Sequence, residues 1–229
     1  MSSELIDFQN GKLILIDKAI DWTSFDVVNK IRSTLKYHFN IKKIKVGHAG
    51  TLDPLATGLL IIGIGKKTKE LQFHQDAPKE YITKIKLGET TPSFDLETEV
   101  DETFPLEDLT KEQIEMVVSG FKGKQKQIPS SYSAKWINGK RAYESARKGE
   151  KVELAPADIE IYEIEILMME LPYLELRIKC SKGTYIRAIA RDIGKKLNNG
   201  GHLTELKRTK IGEYSLEDAI TVDEFQKLL

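Results

Sequence analysis

Apolar positions fall into short runs of two kinds, and the longest unbroken one, residues 59 to 64 (LLIIGI), predicts a strand buried on both faces. LILID, residues 13 to 17, predicts a second buried strand. Between them, Phe25, Val28, Ile31 and Leu35 recur at helical spacing behind Thr23 and Ser24, which predicts an amphipathic helix over 23 to 36 with its N-cap in place. Further on, the pattern predicts a helix from Lys67 to His74 and a strand from Tyr81 to Leu87, ended by Gly88. Thr110 and Gln113 form a capping-box pattern ahead of Ile114, Val117, Val118 and Phe121, in a helix that should end near Gly120.

The second half alternates more regularly. Residues 159 to 168 and 174 to 180 read apolar-polar-apolar, which predicts two half-buried strands in an antiparallel hairpin turning at Leu171-Pro172. A helix follows, with Ile186, Ile189, Ile193 and Leu197 on one face and Arg187 and Arg191 on another, where arginines are ordinarily solvated. Leu203 to Ile211 predicts a last strand, and Ser215 and Thr221 are placed to cap short terminal helices. No internal repeat, low-complexity tract or linker composition interrupts these elements, so one domain over residues 1 to 229 is expected.

Composition narrows the class. With 40% hydrophobic and 31% charged residues the chain is an ordinary globule, and no apolar run approaches the roughly 18 residues that a membrane span needs. The N-terminus lacks the basic flank and long apolar stretch of a secretory signal. Cys180 is the single cysteine, which removes any internal disulfide framework and points to a cytoplasmic location. The net charge is zero, yet its distribution is uneven. Residues 95 to 116 hold nine acidic residues and one lysine, and the stretch 92 to 109 reads as a long surface connection. Residues 121 to 151 hold nine basic residues against two acidic, and 177 to 210 hold ten against two. Such runs are often only solvated faces, but two of them in a neutral chain predict a polarised surface able to attract phosphates. Within the first basic run, Tyr132, Trp136 and Tyr143 alternate with the cations, and Asn138 to Arg147 has helical character. That mixture suits backbone contact with base stacking, or a surface helix anchored by its aromatics.

The stretch Gly47 to Gly58, GHAGTLDPLATG, concentrates the candidate chemistry in one carboxylate, Asp53, followed by Pro54. The proline restricts its predecessor to extended backbone, so Asp53 should be held on a loop as either a helix cap, bonded near Ala56, or a reagent. Other chemistries fail on spacing. Gly58 and Gly63 have the separation of a phosphate-cradling loop, but Ile64 stands where lysine is required. One cysteine cannot supply a zinc deaminase ligand set, and His38, His48, His74 and His202 show no helical ligand spacing, so no metal is expected. A serine or cysteine triad has no nucleophile elbow to rest on.

GHAGTLDPLATGLLIIGIGKKTK resembles the catalytic signature of the tRNA pseudouridine synthase B (TruB) family. Four further stretches resemble the family in the same order: DKAIDWTSFDVVNKIR, KEYITKIKLG, QIPSSYSAKWINGKRAYESARKG and CSKGTYIRAIARDIGKKL. The resemblance implies a mixed α/β fold around a largely antiparallel curved sheet flanked by helices. It also implies isomerisation of uridine 55 in the T-loop of tRNA, without cofactor or metal. Asp53 matches the family's catalytic aspartate, Tyr81 the tyrosine that stacks on the extruded uracil, and Arg187 the arginine that pairs with the aspartate. Tyr185 lies in the same motif, His48 matches a histidine supporting the flipped RNA loop, and Lys18 and Leu206 match pocket positions.

Two departures stand out. Ala19 replaces the family's usual proline after Lys18, which implies a less rigid backbone there. Many bacterial members also continue into a C-terminal RNA-binding PUA domain, whereas this sequence stops at Leu229, so the resemblance implies a short form whose basic insertion around 121 to 151 contacts RNA. The expected partner is the T-arm of tRNA, and the expected state is a monomer. The competing class is an RNA-binding or RNA-folding protein with the same basic face and no turnover, which has no physical need for Asp53, Tyr81 and Arg187 together.

Overall fold

The computed structural model describes residues 3–133, 135–137, 139–150 and 154–229, with the side chains of Ser3 and Glu4 excepted. The protein is mixed α/β, and its largest sheet has nine strands and is mostly antiparallel. The chain divides into two compact units, Met1–Tyr81 with Leu206–Leu229, and Ile82–Glu205.

In the first unit the strand Ala56–Ile64 is central. Lys12–Lys18 pairs with it antiparallel, from Lys12 opposite Ile64 to Lys18 opposite Gly58. Val46–Ala49 pairs antiparallel with residues 61 to 64, and the last strand joins in parallel, placing Leu206 opposite Ala56 and Arg208 opposite Gly58. Its continuous apolar run is explained by burial on both faces. Leu60, Ile62 and Ile64 pack with Val27, Val28, Ile31, Leu35, Val222 and Phe225 of the helices Ser24–His38 and Val222–Lys227. Leu59 and Ile61 pack on the other face with Ala49, Leu71 and Ile211. Each such side chain contributes roughly 1.5–3 kcal/mol by leaving water.

The helix Ser24–His38 starts as predicted, with Thr23 accepting from the Asp26 amide and Asp26 accepting from the Thr23 amide. Its buried face is set differently: Phe25 is 61% exposed, and Val27 takes its place. The helix expected over 67 to 74 is two pieces, a 3-10 turn Gly65–Lys69 and a helix Leu71–Asp76, with a helix Ser3–Asn10 at the start of the chain.

In the second unit, Ala157–Glu170 and Tyr173–Cys180 form the predicted antiparallel hairpin, with Ile164 opposite Ile178 and Ile166 opposite Leu176. Gly123–Gln127, a strand that the lysine-rich sequence conceals, pairs with the outer edge of that hairpin. Lys111–Ser119 begins at the predicted capping box, and Ile186–Lys196 buries Ile186, Ile189 and Ile193 as expected. Of the helix expected over 138 to 147, residues Ala142–Ala146 are helical, after a short ladder of Trp136–Ile137 with Lys140–Arg141; Asn138 itself lies outside the described residues. The acidic stretch 92 to 109 departs from a solvated connection, because Ser93 and Asp95 are buried.

Candidate active site

Asp53 sits on the connection between Val46–Ala49 and Ala56–Ile64. Its carbonyl accepts the Ala56 amide at 3.1 Å, so Asp53-Pro54-Leu55-Ala56 is a tight turn, and Ala56 opens a strand. No helix follows for Asp53 to cap. The cap reading fails because the branched residues after Gly58 are claimed by the sheet.

Three side chains and one amide from the N-terminal segment fasten this connection. Ser24 Oγ accepts the Leu52 amide at 2.8 Å, and the Asp21 amide donates to the Pro54 carbonyl at 2.9 Å. Lys18, fully buried, donates through Nζ to the carbonyls of Trp22 at 2.6 Å, Ala19 at 2.9 Å and Pro54 at 3.3 Å. Burial pushes the Lys18 ammonium down from 10.5 to about 8, while the Asp53 carboxylate acts in the opposite direction and the Arg208 cation reinforces the fall. Lys18 therefore keeps its charge at neutral pH and attracts Asp53.

From the other side, Arg208 is 1% exposed and donates Nε to the Leu59 carbonyl at 2.8 Å and Nη2 to the Gly50 carbonyl at 3.0 Å. Its side chain also hydrogen-bonds that of Tyr81, which opposes the lowering of its pKa by burial. The backbone accommodates Arg208 only because position 58 is glycine: φ is +98°, and a Cβ there would stand 2.3 Å from the Arg208 carbonyl oxygen. His48 is half-buried on the strand before the turn. Desolvation first, and then the Arg208 cation, hold its imidazole below the usual histidine range, against a hydrogen bond involving the Gly50 backbone.

Five of the seven residues singled out from sequence, Lys18, His48, Asp53, Tyr81 and Leu206, thus belong to the first unit. Tyr185 and Arg187 belong to the second. There Gln127 brackets the Tyr185 backbone, accepting its amide at 2.9 Å and donating to its carbonyl at 3.0 Å. Arg187, next in line on the helix, is 3% exposed instead of solvated. It lies 3.4 Å from the Asp95 carboxylate and donates to the carbonyls of Tyr132 at 3.0 Å and Ser93 at 3.3 Å. Trp136 is exposed, with the Arg141 guanidinium 4.4 Å from its ring centre, and Arg147 stacks on Tyr143 at 5.2 Å while pairing with Glu97.

The sequence reading passed over Ser24, Asp95 and Arg208. Asp95 was counted within an acidic run, and Arg208 within a basic one. The signal for Arg208 was Gly58, whose partner strand needed room.

Residues 36–186 match the model of the TruB family pseudouridylate synthase N-terminal domain, and 187–229 match the tRNA pseudouridylate synthase B C-terminal domain. The chain belongs to the TruB family of pseudouridylate synthases. It is 53% identical to tRNA pseudouridine synthase B of Phocaeicola vulgatus over 98% of this chain and 95% of that one. The Flavobacterium johnsoniae protein of the same description is 47% identical, over 97% and 98%. Among solved structures, an H/ACA RNP bound to a substrate RNA containing 2'-deoxyuridine matches with a TM-score of 0.70 at 26% identity, and a Cbf5-Nop10-Gar1 complex with 0.70 at 27%. The TruB-family chain covers 55% of each of those longer chains, against 99% and 97% of its own length. The expected fold class and isomerase family are borne out by these likenesses. Among the described residues, no helix is long and apolar enough to cross a membrane.

Proposed function

We propose that this chain isomerises uridine 55 in the T-loop of tRNA to pseudouridine, with Asp53 as the catalytic carboxylate. The observation that carries the reading is the placement of Asp53 on a tight turn, fastened from both sides by buried cationic side chains. Such a turn holds a carboxylate in one position, and the Lys18 charge favours its ionised form.

The reaction breaks the bond from ribose C1′ to uracil N1, turns the base, and joins C1′ to C5. The electron pair of the broken bond leaves with the uracil, C5 gives up its proton after rejoining, and N1 gains one, so product and substrate are isomers. The sugar is electron-poor during cleavage, and an anionic carboxylate stabilises or attacks such a centre as it does in glycosidases. Uracil must leave the RNA stack first, at a cost of a few kcal/mol. Stacking on Tyr81 returns roughly 1–3 kcal/mol of that. Arg187 supports the Asp53 charge, Tyr185 and Leu206 shape the base pocket, and His48 supports the displaced loop. Its imidazole is neutral at neutral pH. Exposed lysines of 121 to 151 contact the RNA backbone, and both compact units serve one catalytic domain.

The test is incubation of a synthetic T-arm hairpin with the protein, followed by carbodiimide labelling of pseudouridine and mass spectrometry. Labelling is needed because isomerisation leaves mass unchanged. One label at the position of uridine 55 is expected. Tight binding without any label would replace this reading with that of an RNA-binding protein.

A further inference from the structure

Arg208 is among the largest fully buried side chains of the protein, and its polar contacts have a common feature. They join segments on either side of Asp53: the Gly50 carbonyl three residues before it, the Leu59 carbonyl six residues after it, and the Tyr81 side chain. Removing a guanidinium from water is costly, so a merely space-filling role at this position would be served better by an apolar residue. The strand register also yields to it. Gly58 adopts φ +98° directly opposite Arg208, and Gly50 adopts φ +80°, where a Cβ would stand 3.3 Å from Arg208 Nη1. Two glycines with left-handed backbone therefore flank the catalytic turn at the places where Arg208 approaches.

We propose that Arg208 is a positioning residue that fixes the Tyr81 ring relative to the Asp53 turn, so that a uracil stacked on Tyr81 presents its glycosidic carbon to the carboxylate; this rests on the function proposed above. The planar guanidinium supplies donors in fixed directions within one plane, so a bond to Tyr81 and bonds to Gly50 and Leu59 hold their distances together. Lysine retains the charge and cannot span three acceptors in that arrangement. The hydroxyl of Tyr81 thereby has a purpose separate from its ring: the ring stacks, and the hydroxyl aligns the ring.

The test is a double-mutant cycle of Arg208→Lys and Tyr81→Phe, read as single-turnover pseudouridine formation at saturating T-arm RNA, with RNA affinity and melting temperature measured alongside. Each single variant should slow the step by about tenfold to a hundredfold, the scale of a charge-assisted hydrogen bond. RNA affinity should stay within about threefold, because the ring remains for stacking. The double variant should be no slower than the slower single one, since both remove the same link. Rates that multiply would overturn the proposal, as would a loss that tracks the melting temperature in place of the rate. If Arg208→Lys does not fold, Tyr81→Phe decides alone: a rate loss at unchanged melting temperature and affinity supports the link, and a wild-type rate rejects it. A wild-type protein that makes no pseudouridine would sink the underlying reading, and the proposal with it.

Discussion

The Arg187 guanidinium lies 3.4 Å from the Asp95 carboxylate, and both side chains are nearly buried, at 4% and 9% exposure. A buried pair of this kind is weak evidence of added stability, but breaking it from one side leaves a charge out of water. Arg187→Met should therefore lower unfolding free energy by about 3–5 kcal/mol. Urea denaturation checks this. A loss below about 1 kcal/mol, the range of exposed pairs, would show that Asp95 does not depend on Arg187.

Lys18 carries a pH signature. Its folded pKa is lowered from 10.5 to about 8, chiefly by burial. Between those values the unfolded chain holds a proton that the folded one has released, so stability should rise with pH through this window. Below pH 8 both states are protonated, and the fold bears the full cost, about 3 kcal/mol. Lys18→Met should lose this rise. Denaturation of both proteins between pH 7.5 and 10.5 measures it, and parallel curves would contradict the assignment.

Thr23 tests the local reading of the helix that anchors the turn. Its hydroxyl accepts the Asp26 amide at 3.0 Å, and Thr23→Ala should cost about 1 kcal/mol, visible as a lower melting temperature. Turnover of the folded fraction should be unchanged, because Thr23 lies outside the catalytic turn.

What the sequence disclosed and what it hid follow one physical line. Periodic elements with local signals were legible: the Thr23 and Thr110 capping boxes, the hairpin turning at Leu171-Pro172, and the buried face of Ile186–Lys196. These depend on residues close together in the chain. Long-range neutralisation was not legible. Arg187 and Asp95 are 92 positions apart, and each looked like part of a solvated charge run until folding buried both. Arg208 was hidden in the same way, since its partners at Gly50, Leu59 and Tyr81 are distant in sequence. Gly123–Gln127 was missed because its lysines alternate on the exposed face, so composition concealed a strand that pairs with its neighbour through the backbone.

The basic segments predict salt-sensitive RNA binding. Lys122, Lys124 and Lys126 are exposed along one strand, whereas Arg177 and Lys179 are engaged with Glu165 and Glu163. The logarithm of T-arm affinity should fall linearly with the logarithm of salt concentration. Replacing Lys124 and Lys126 together by alanine should reduce the slope by about 1–2 units, through lost phosphate contacts. An unchanged slope would remove this strand from the RNA interface.

The most direct test of the whole account is single-turnover pseudouridine formation by Asp53→Asn on a T-arm hairpin. Asparagine keeps the size and the turn preference of aspartate, so the fastened connection should persist and the melting temperature should be unchanged or slightly higher. Affinity should stay near native, because the lysines and Tyr81 are untouched. The amide cannot stabilise or attack an electron-poor sugar as an anion does, so no pseudouridine should form. Substantial turnover by this variant, with wild-type contamination excluded, would contradict the assignment of Asp53 as the catalytic carboxylate.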